Sequence, residues 1–333
     1  MARTSKRKLM MQALKLFEKE GQKAFKNARE AVLREKFQCI PLKEAVAYFM
    51  DNWRDVQHPA LLSLACKSVG GHPNIAVEFG TAFVLLTSAA DIHDDIIDQS
   101  ITKNGKLTVL GKFGRNIALL AGDALLFKGL IVLQDACQRL NEVQRQEVMK
   151  LTENAFFKIA FAETKEVEHS GKHDLTPEEY LSIFEMKAAV AELTMQIGAL
   201  VGGGTSQEID ALGNYGRTLG IVMAIRDDFI DMFEPEELKN RFKNECLPLP
   251  ILYAFQDSKI EKKIVSILKK NRICNEDAYR VVEIVTETRG FQVLKKKIQF
   301  MVKRGLDEIR LLNKDSQQTL SVILKASLEG VVI

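Results

Sequence analysis

Four aspartates fall within eight residues in Asp91-Ile-His-Asp94-Asp95-Ile-Ile-Asp98, directly after an uncharged run from Phe79 to Ala90. On a helix Asp94 and Asp98 stand one turn apart on one face, with Asp91 and Asp95 beside them, and each like-charged pair at that spacing costs ~0.2–0.5 kcal/mol. Something must supply positive charge. A second cluster, Asp227-Asp228-Phe-Ile-Asp231, repeats the D-D-x-x-D spacing after the apolar run Gly220 to Ile225. Both clusters offer only carboxylate oxygens, with His93 outside the pattern. That donor set suits hard cations, and Mg²⁺ held by a few carboxylates completes its octahedron with water and substrate phosphate. A single cluster would read as a solvated helix end; two of identical spacing, each after an apolar run, read as a metal site.

The elements that must position these acids are helices. Met10 to Ala31 carries apolar residues near the 3.6 period, and further helices are expected from Leu42 to Trp53, Ala60 to Val69 and Ile75 into the first cluster. Gln99 to Gly114 has no periodic apolar face and reads as a loop with lysines at 103, 106 and 112. Helices follow over 117–140 and 143–167. Thr176-Pro-Glu-Glu179 is a capping box that starts another, running past Lys187. Ile209 to Phe233 holds the second cluster, Glu236 to Pro250 is polar and broken by proline, and stretches near 251–270, 276–309 and 315–329 close the chain. With no β-type alternation of useful length, the expected fold is a single all-α domain over residues 1–333 with ten or more helices.

Composition sets outer bounds. The chain is 46% hydrophobic with only seven prolines, which suffices for a large helical core. Its five cysteines, at 39, 66, 137, 246 and 274, include no C-x-x-C pair, which points to a reducing, cytoplasmic setting. No signal peptide or membrane span is expected. Residues 1–50 carry twelve Lys and Arg against five Asp and Glu, a surplus of +7 that leaves the rest of the chain at 3 − 7 = −4. The basic, amphipathic region 1–40 therefore reads either as a solvated outer helix or as a contact with an anionic membrane surface. No nucleic-acid partner is expected.

The two acid clusters, Gly122-Asp123-Ala-Leu-Leu, Phe184-Glu-Met-Lys187-Ala-Ala and Tyr215-Gly-Arg-Thr-Leu-Gly220 together resemble the trans-isoprenyl diphosphate synthases, or polyprenyl synthetases, from about residue 45 to 255. The resemblance implies an isoprenoid-synthase-type helical bundle around a central cavity, a homodimer, and acid clusters that face each other. It implies that Asp94, Asp95, Asp98, Asp227, Asp228 and Asp231 hold about three Mg²⁺ ions that grip an allylic diphosphate and stabilise the departing pyrophosphate. Lys187 is implied in catalysis and substrate binding, with Lys103 and Arg226 on the diphosphate. Ala89 and Ala90, on the same view, leave a deep tunnel for a chain of twenty carbons or more, unless Phe83 or Phe127 closes its floor. Asp91, an acid at a usually apolar position, would bind metal or serve an acceptor.

Departures from the family pattern concentrate in one place. Where the family has G-G-K-R-x-R-P, this chain reads Trp53-Arg-Asp55-Val56-Gln-His58-Pro59. Asp55 and Val56 replace the Lys and Arg that would hold isopentenyl diphosphate, Thr87 replaces a histidine, and Lys103-Asn104 replaces an arginine pair. Met223-Ala224 replaces Phe-Gln ahead of the second cluster, and Ala188 replaces a threonine after Lys187. Each lost charge-assisted bond is worth ~1.5–3 kcal/mol, so the second diphosphate site should be much weaker unless cations such as Arg54 or Lys67 move in.

On these residues the leading expectation is an enzyme that transfers a long allylic prenyl group to an acceptor other than isopentenyl diphosphate, with Asp55 and Asn104 serving that acceptor and Asp55 as its base. Three other readings stay open: a terpene synthase, an ordinary chain-elongating synthase, and a non-catalytic subunit of a hetero-oligomer.

Overall fold

The computed structural model describes residues 2–103, 105–329 and 331, with side chains from residue 8 onward. The all-α expectation is met. Helices account for nearly all regular structure among the described residues, and the exception is a two-residue antiparallel pairing, Thr102–Lys103 with Lys106–Leu107, inside the segment expected to be a loop. That segment also holds the short helix Val109–Phe113, capped by Thr108 Oγ1, which accepts the Gly111 N–H at 3.0 Å. Gly105 and Gly114 sit at φ +72° and +79°, a backbone region that side chains other than glycine rarely adopt.

Capping explains where the expected helices stop and start. The Thr176 capping box opens helix Pro177–Lys187 as its sequence requires. The stretch expected as one helix over 251–270 is two, Leu249–Ala254 and Ser258–Leu268, because Asp257 Oδ1 accepts the Lys259 N–H at 2.9 Å and restarts the chain. Thr288 divides 276–309 in the same way, accepting the Phe291 N–H at 3.1 Å between helices Asn275–Thr286 and Arg289–Glu308. The polar segment 236–250 contains helix Pro235–Asn244, with proline in its first turn where a missing N–H does no harm.

The described residues group into two compact units. One comprises residues 13–152 and 193–213. Its central element is helix Pro73–Ile97, which packs on helices Gln57–Ser68 and Arg115–Cys137 and buries Phe79, Phe83, Leu85 and Ile92. Glycines set the closest approaches. A Cβ on Gly198 would lie 2.3 Å from the Leu62 carbonyl oxygen, and one on Gly122 would lie 2.4 Å from His93 Nε2, so the Gly122-Asp123 step makes room for that imidazole. Helices Pro73–Ile97 and Arg115–Cys137 are long and apolar enough to cross a bilayer by length and composition. Most of the apolar stretch of the first is buried against protein, whereas the second leaves Leu119, Leu120, Phe127, Leu130 and Ile131 exposed.

The other unit comprises the described residues 2–12, 153–192, 214–329 and 331. Here Tyr215 is fully buried and donates to the Leu320 carbonyl at 2.8 Å, and Phe229 meets Phe291 edge-on with centroids 5.8 Å apart. Phe229 lies within the second acid cluster, so this packing fixes where the neighbouring aspartates stand.

Gly198→Ala should lower stability by ~1–3 kcal/mol, because the obstacle is the Leu62 backbone, which has no rotamer to escape into. Thermal unfolding followed by circular dichroism checks this, and an unchanged midpoint would contradict the close helix contact.

Candidate active site

The first acid cluster is the C-terminal end of helix Pro73–Ile97, where the Asp98 N–H donates to the Asp94 carbonyl at 2.9 Å. Negative charge at a helix C-terminus opposes the macrodipole, which adds to the mutual repulsion of the acids. Asp95 is buried, Asp94 and Asp98 are half-buried, and Asp91 is open to solvent on one side. The nearby cation is Lys103, whose Nζ lies 3.8 Å from Asp95 Oδ1. Burial pushes the Asp95 carboxyl up to about 6 against the pull of Lys103, with Asp91 and Asp94 adding repulsion. Loss of hydration pushes Asp91 to about 6 as well, Lys103 opposing while Asp55 and Asp94 reinforce it, although solvent still reaches part of that side chain. Burial disfavours the Lys103 ammonium, yet Asp91, Asp95, Asp94 and Asp98 together raise its pKa. Lys103 thus faces all four acids, and His58 also acts on Asp91. The donor set is oxygen-only and short of positive charge, which fits a hard divalent ion.

One turn N-terminal to Asp91, Thr87 leads into a network with a different function from the one expected. Asp55 Oδ1 accepts the N–H groups of Gln57 and His58 at 3.0 and 3.1 Å, capping helix Gln57–Ser68, and Oδ2 meets His58 Nδ1 at 2.8 Å and takes the Thr87 hydroxyl at 2.7 Å. Burial opposes charge on both partners. The attraction between them prevails, lowering the Asp55 pKa and raising that of His58, with Asp91 adding to the latter. Asp55 is therefore committed to a helix start and an imidazole, which corrects its expected role as base for an acceptor. Val56 packs on the apolar core, and its carbonyl oxygen occupies the space a Cβ on Gly21 would need. Arg54 and Lys67 do not move in as replacement cations: Arg54 pairs with Glu18 at 2.9 Å and Lys67 with Glu20. Asn104, the other residue expected to serve the acceptor, lies outside the described residues.

The expected tunnel residues part company. Ala89 is 1% exposed and belongs to the apolar core with Phe49, Met50, Leu85, Ile92 and Leu125, so it lines no open tunnel, and that expectation is corrected. Ala90 is exposed. Phe83 is buried, whereas Phe127 is 67% exposed and closes nothing in its unit.

The second cluster spells the same motif in a different electrostatic state. Arg226 Nη2 donates to Asp227 Oδ1 at 2.8 Å. Asp228 is 2% exposed; its Oδ1 pairs with Arg241 Nη2 and its Oδ2 accepts the Leu249 N–H at 2.6 Å. Arg241 also lies 3.5 Å from Asp231 through Nε and 3.3 Å from Glu245 through Nη1. Burial pushes Asp228 up to about 7 and Asp231 up to about 6, Arg241 pulling both down. The second cluster therefore has internal counter-charge, and each Asp228 oxygen already has a partner away from solvent. Lys187, expected to grip substrate, lies 3.1 Å from Glu163 and also pairs with Glu166, both on helix Glu142–His169. Among the described residues no three His, Cys, Asp or Glu side chains already converge as a ready ligand set.

Sequence reasoning missed His58 and Arg241. His58 stands in the quoted motif string and carried a signal, an imidazole three residues after an acid at a helix start. Arg241 carried a weaker one, a helix opened by Pro235 and two glutamates and closed by basic residues, with nothing local to pair it with Asp228.

The family described as polyprenyl synthetase matches residues 42–285. Over 229 residues the chain is 30% identical to the short chain isoprenyl diphosphate synthase of Methanothermobacter thermautotrophicus, covering 68% of this chain and 66% of that protein, so the match spans about two thirds of the relative's length. It is 27% identical over 286 residues to the geranylgeranyl diphosphate synthase of Methanosarcina mazei, covering 84% and 86%. The crystal structure of geranylgeranyl pyrophosphate synthetase from Pyrococcus horikoshii superposes with a TM-score of 0.82 at 23% identity, covering 95% of this chain and 98% of the other, a likeness of fold.

The Asp55–His58 pair predicts a pH signature. A raised His58 pKa and a lowered Asp55 pKa make the pair's stabilisation full only above the ordinary carboxyl value of 3.8 and below the ordinary imidazole value of 6.5. It fades as pH falls through the folded value of Asp55 or rises through that of His58. Asp55→Asn should therefore lose about 1.5–3 kcal/mol near pH 5 and less at about pH 9, measured by urea unfolding at several pH values. A pH-independent loss would mean that the contact is not ionic.

Proposed function

We propose a reaction for this chain from one premise: it belongs to the polyprenyl synthetase family. On that premise it is an enzyme that ionises an allylic isoprenyl diphosphate and couples the prenyl group to isopentenyl diphosphate, extending the chain. The observation that carries this is the first acid cluster, four aspartates at the end of a buried helix with Lys103 drawn to them. Asp94, Asp95 and Asp98 would hold Mg²⁺, which when bound offsets the charge of the departing pyrophosphate. Lys103, already tied electrostatically to these acids, is placed to share a diphosphate with the metal. Burial of Asp95 keeps that interaction in a medium of lower dielectric, where it is stronger than in water.

The chain-elongating reading stands ahead of the sequence-based expectation of a different acceptor, since the similar proteins are named as diphosphate synthases and Asp55 has a structural task. Transfer to another acceptor remains the second reading, and one observation favours it: Asp55, His58 and Thr87 hydrogen-bond together at positions where the family pattern has two cations and a histidine. A C20 or longer substrate loses half its support with Ala89 in the core. The exposed apolar residues of helix Arg115–Cys137 suit a second copy of this chain, in keeping with a homodimer. On the N-terminal helix Glu18 and Glu20 are drawn into ion pairs while Lys8, Lys15, Lys19 and Lys26 face solvent, which supports peripheral contact with an anionic surface.

Two outcomes are expected. Incubation with C10, C15 and C20 allylic diphosphates, Mg²⁺ and labelled isopentenyl diphosphate should give elongated products by mass analysis; pyrophosphate release without incorporation would instead select the second reading. Asp94→Ala should lower pyrophosphate release by about 10²-fold or more with the helical signal retained. Release at the parent rate would remove the cluster from the chemistry.

A further inference from the structure

The D-D-x-x-D spacing occurs twice, and the second copy carries arginines of its own. In the second copy each aspartate already touches an arginine: Asp227 through Arg226, and Asp228 and Asp231 through Arg241. Arg241 is itself largely buried, at 12% side-chain exposure, and its guanidinium spans three carboxylates, Asp228, Asp231 and Glu245. A planar guanidinium is permanently charged and presents fixed donors to carboxylate oxygens, which is the task a divalent ion performs in an acid cluster. Each Asp228 oxygen already has a partner, since the second accepts the Leu249 N–H at the start of the buried helix Leu249–Ala254. An octahedral ion asks for several oxygens at about 2.1 Å, and a guanidinium between the same oxygens excludes it by both volume and charge.

We propose that Arg241 permanently occupies the place of a metal ion at the second cluster, so that this chain holds its divalent metal at Asp94, Asp95 and Asp98 alone. The inference deepens the reading above and rests on it. It assigns Arg241 as the positioning residue that fixes Asp228 and Asp231, and it makes the two motifs unequal in kind, one exchanging its cation with solvent and the other carrying it in the chain.

The test counts bound Mn²⁺ on the full-length protein by electron paramagnetic resonance of the free ion, a readout independent of turnover. Asp94→Asn should weaken Mn²⁺ binding by at least about tenfold, and Asp231→Asn should leave it within about twofold of the parent. Arg241→Met, checked for folding by circular dichroism, should bind at least one additional Mn²⁺, while Arg241→Lys should keep the parent count. Weakened Mn²⁺ binding in Asp231→Asn would overturn the inference by itself and needs no arginine variant to fold. An unchanged count in a folded Arg241→Met would do the same. If the parent protein bound no Mn²⁺ at either cluster, the metal-dependent reading would fall first, and the inference with it.

Discussion

Four carboxylates at the negative end of one buried helix, with Lys103 drawn to all four, are the constraint on which the rest of this structure turns. Helix Pro73–Ile97 cannot shift to relieve them, because Phe79, Phe83, Leu85 and Ile92 lock it into the core. The acids must therefore stay where they are, close enough for burial and repulsion to push Asp91 and Asp95 up to about 6. A cation from outside, with a diphosphate as its counter-ligand, is the response that the chemistry of the site invites. The surrounding segment serves the same site: the pairing of Thr102–Lys103 with Lys106–Leu107 holds Lys103 beside Asp95, with Gly105 at positive φ between the two strands.

Other charged groups of the chain have partners of their own, and that contrast gives the first cluster its meaning. Asp55 spends its carboxylate on the start of helix Gln57–Ser68 and on His58. Asp227, Asp228 and Asp231 are met by Arg226 and Arg241. Lys187 is drawn to Glu163 and Glu166. The same spacing thus leads to different chemistry, because the second cluster meets Arg226 beside it and Arg241 from the helix that follows.

Much of this was legible in the sequence where the cause was local. Periodicity and capping boxes place the helices, and the Thr176 box appears as written. The D-D-x-x-D spacing locates both clusters because helical geometry alone puts those aspartates together. Illegible parts depend on partners distant in the chain or on competition between uses of one group. Asp55 reads as a lost cation until its cap on Gln57 and His58 is seen. Ala89 reads as a tunnel wall from its place one turn before the acids, yet helix rotation turns it into the core while Ala90, its neighbour, faces out. Arg241 was readable as part of a helix, since Pro235 and two glutamates open one and basic residues close it, but no local pattern says that its side chain meets Asp228. The divisions at Asp257 and Thr288 were readable in principle, since each is an ordinary N-cap within an apolar pattern that favours continuity.

The central claim is that the first cluster is short of positive charge and that a divalent ion supplies it. Carboxyl titration by NMR on protein labelled at aspartate side chains with ¹³C, assigned through Asp91→Asn and Asp95→Asn, measures this directly. The account predicts that Asp91 and Asp95 titrate near 6 in metal-free buffer, as burial and crowding require, and that saturating Mg²⁺ moves both downward by more than about one pH unit, since a bound cation favours the ionised form. Ordinary carboxyl values in metal-free buffer, or elevated values that Mg²⁺ leaves unmoved, would contradict it.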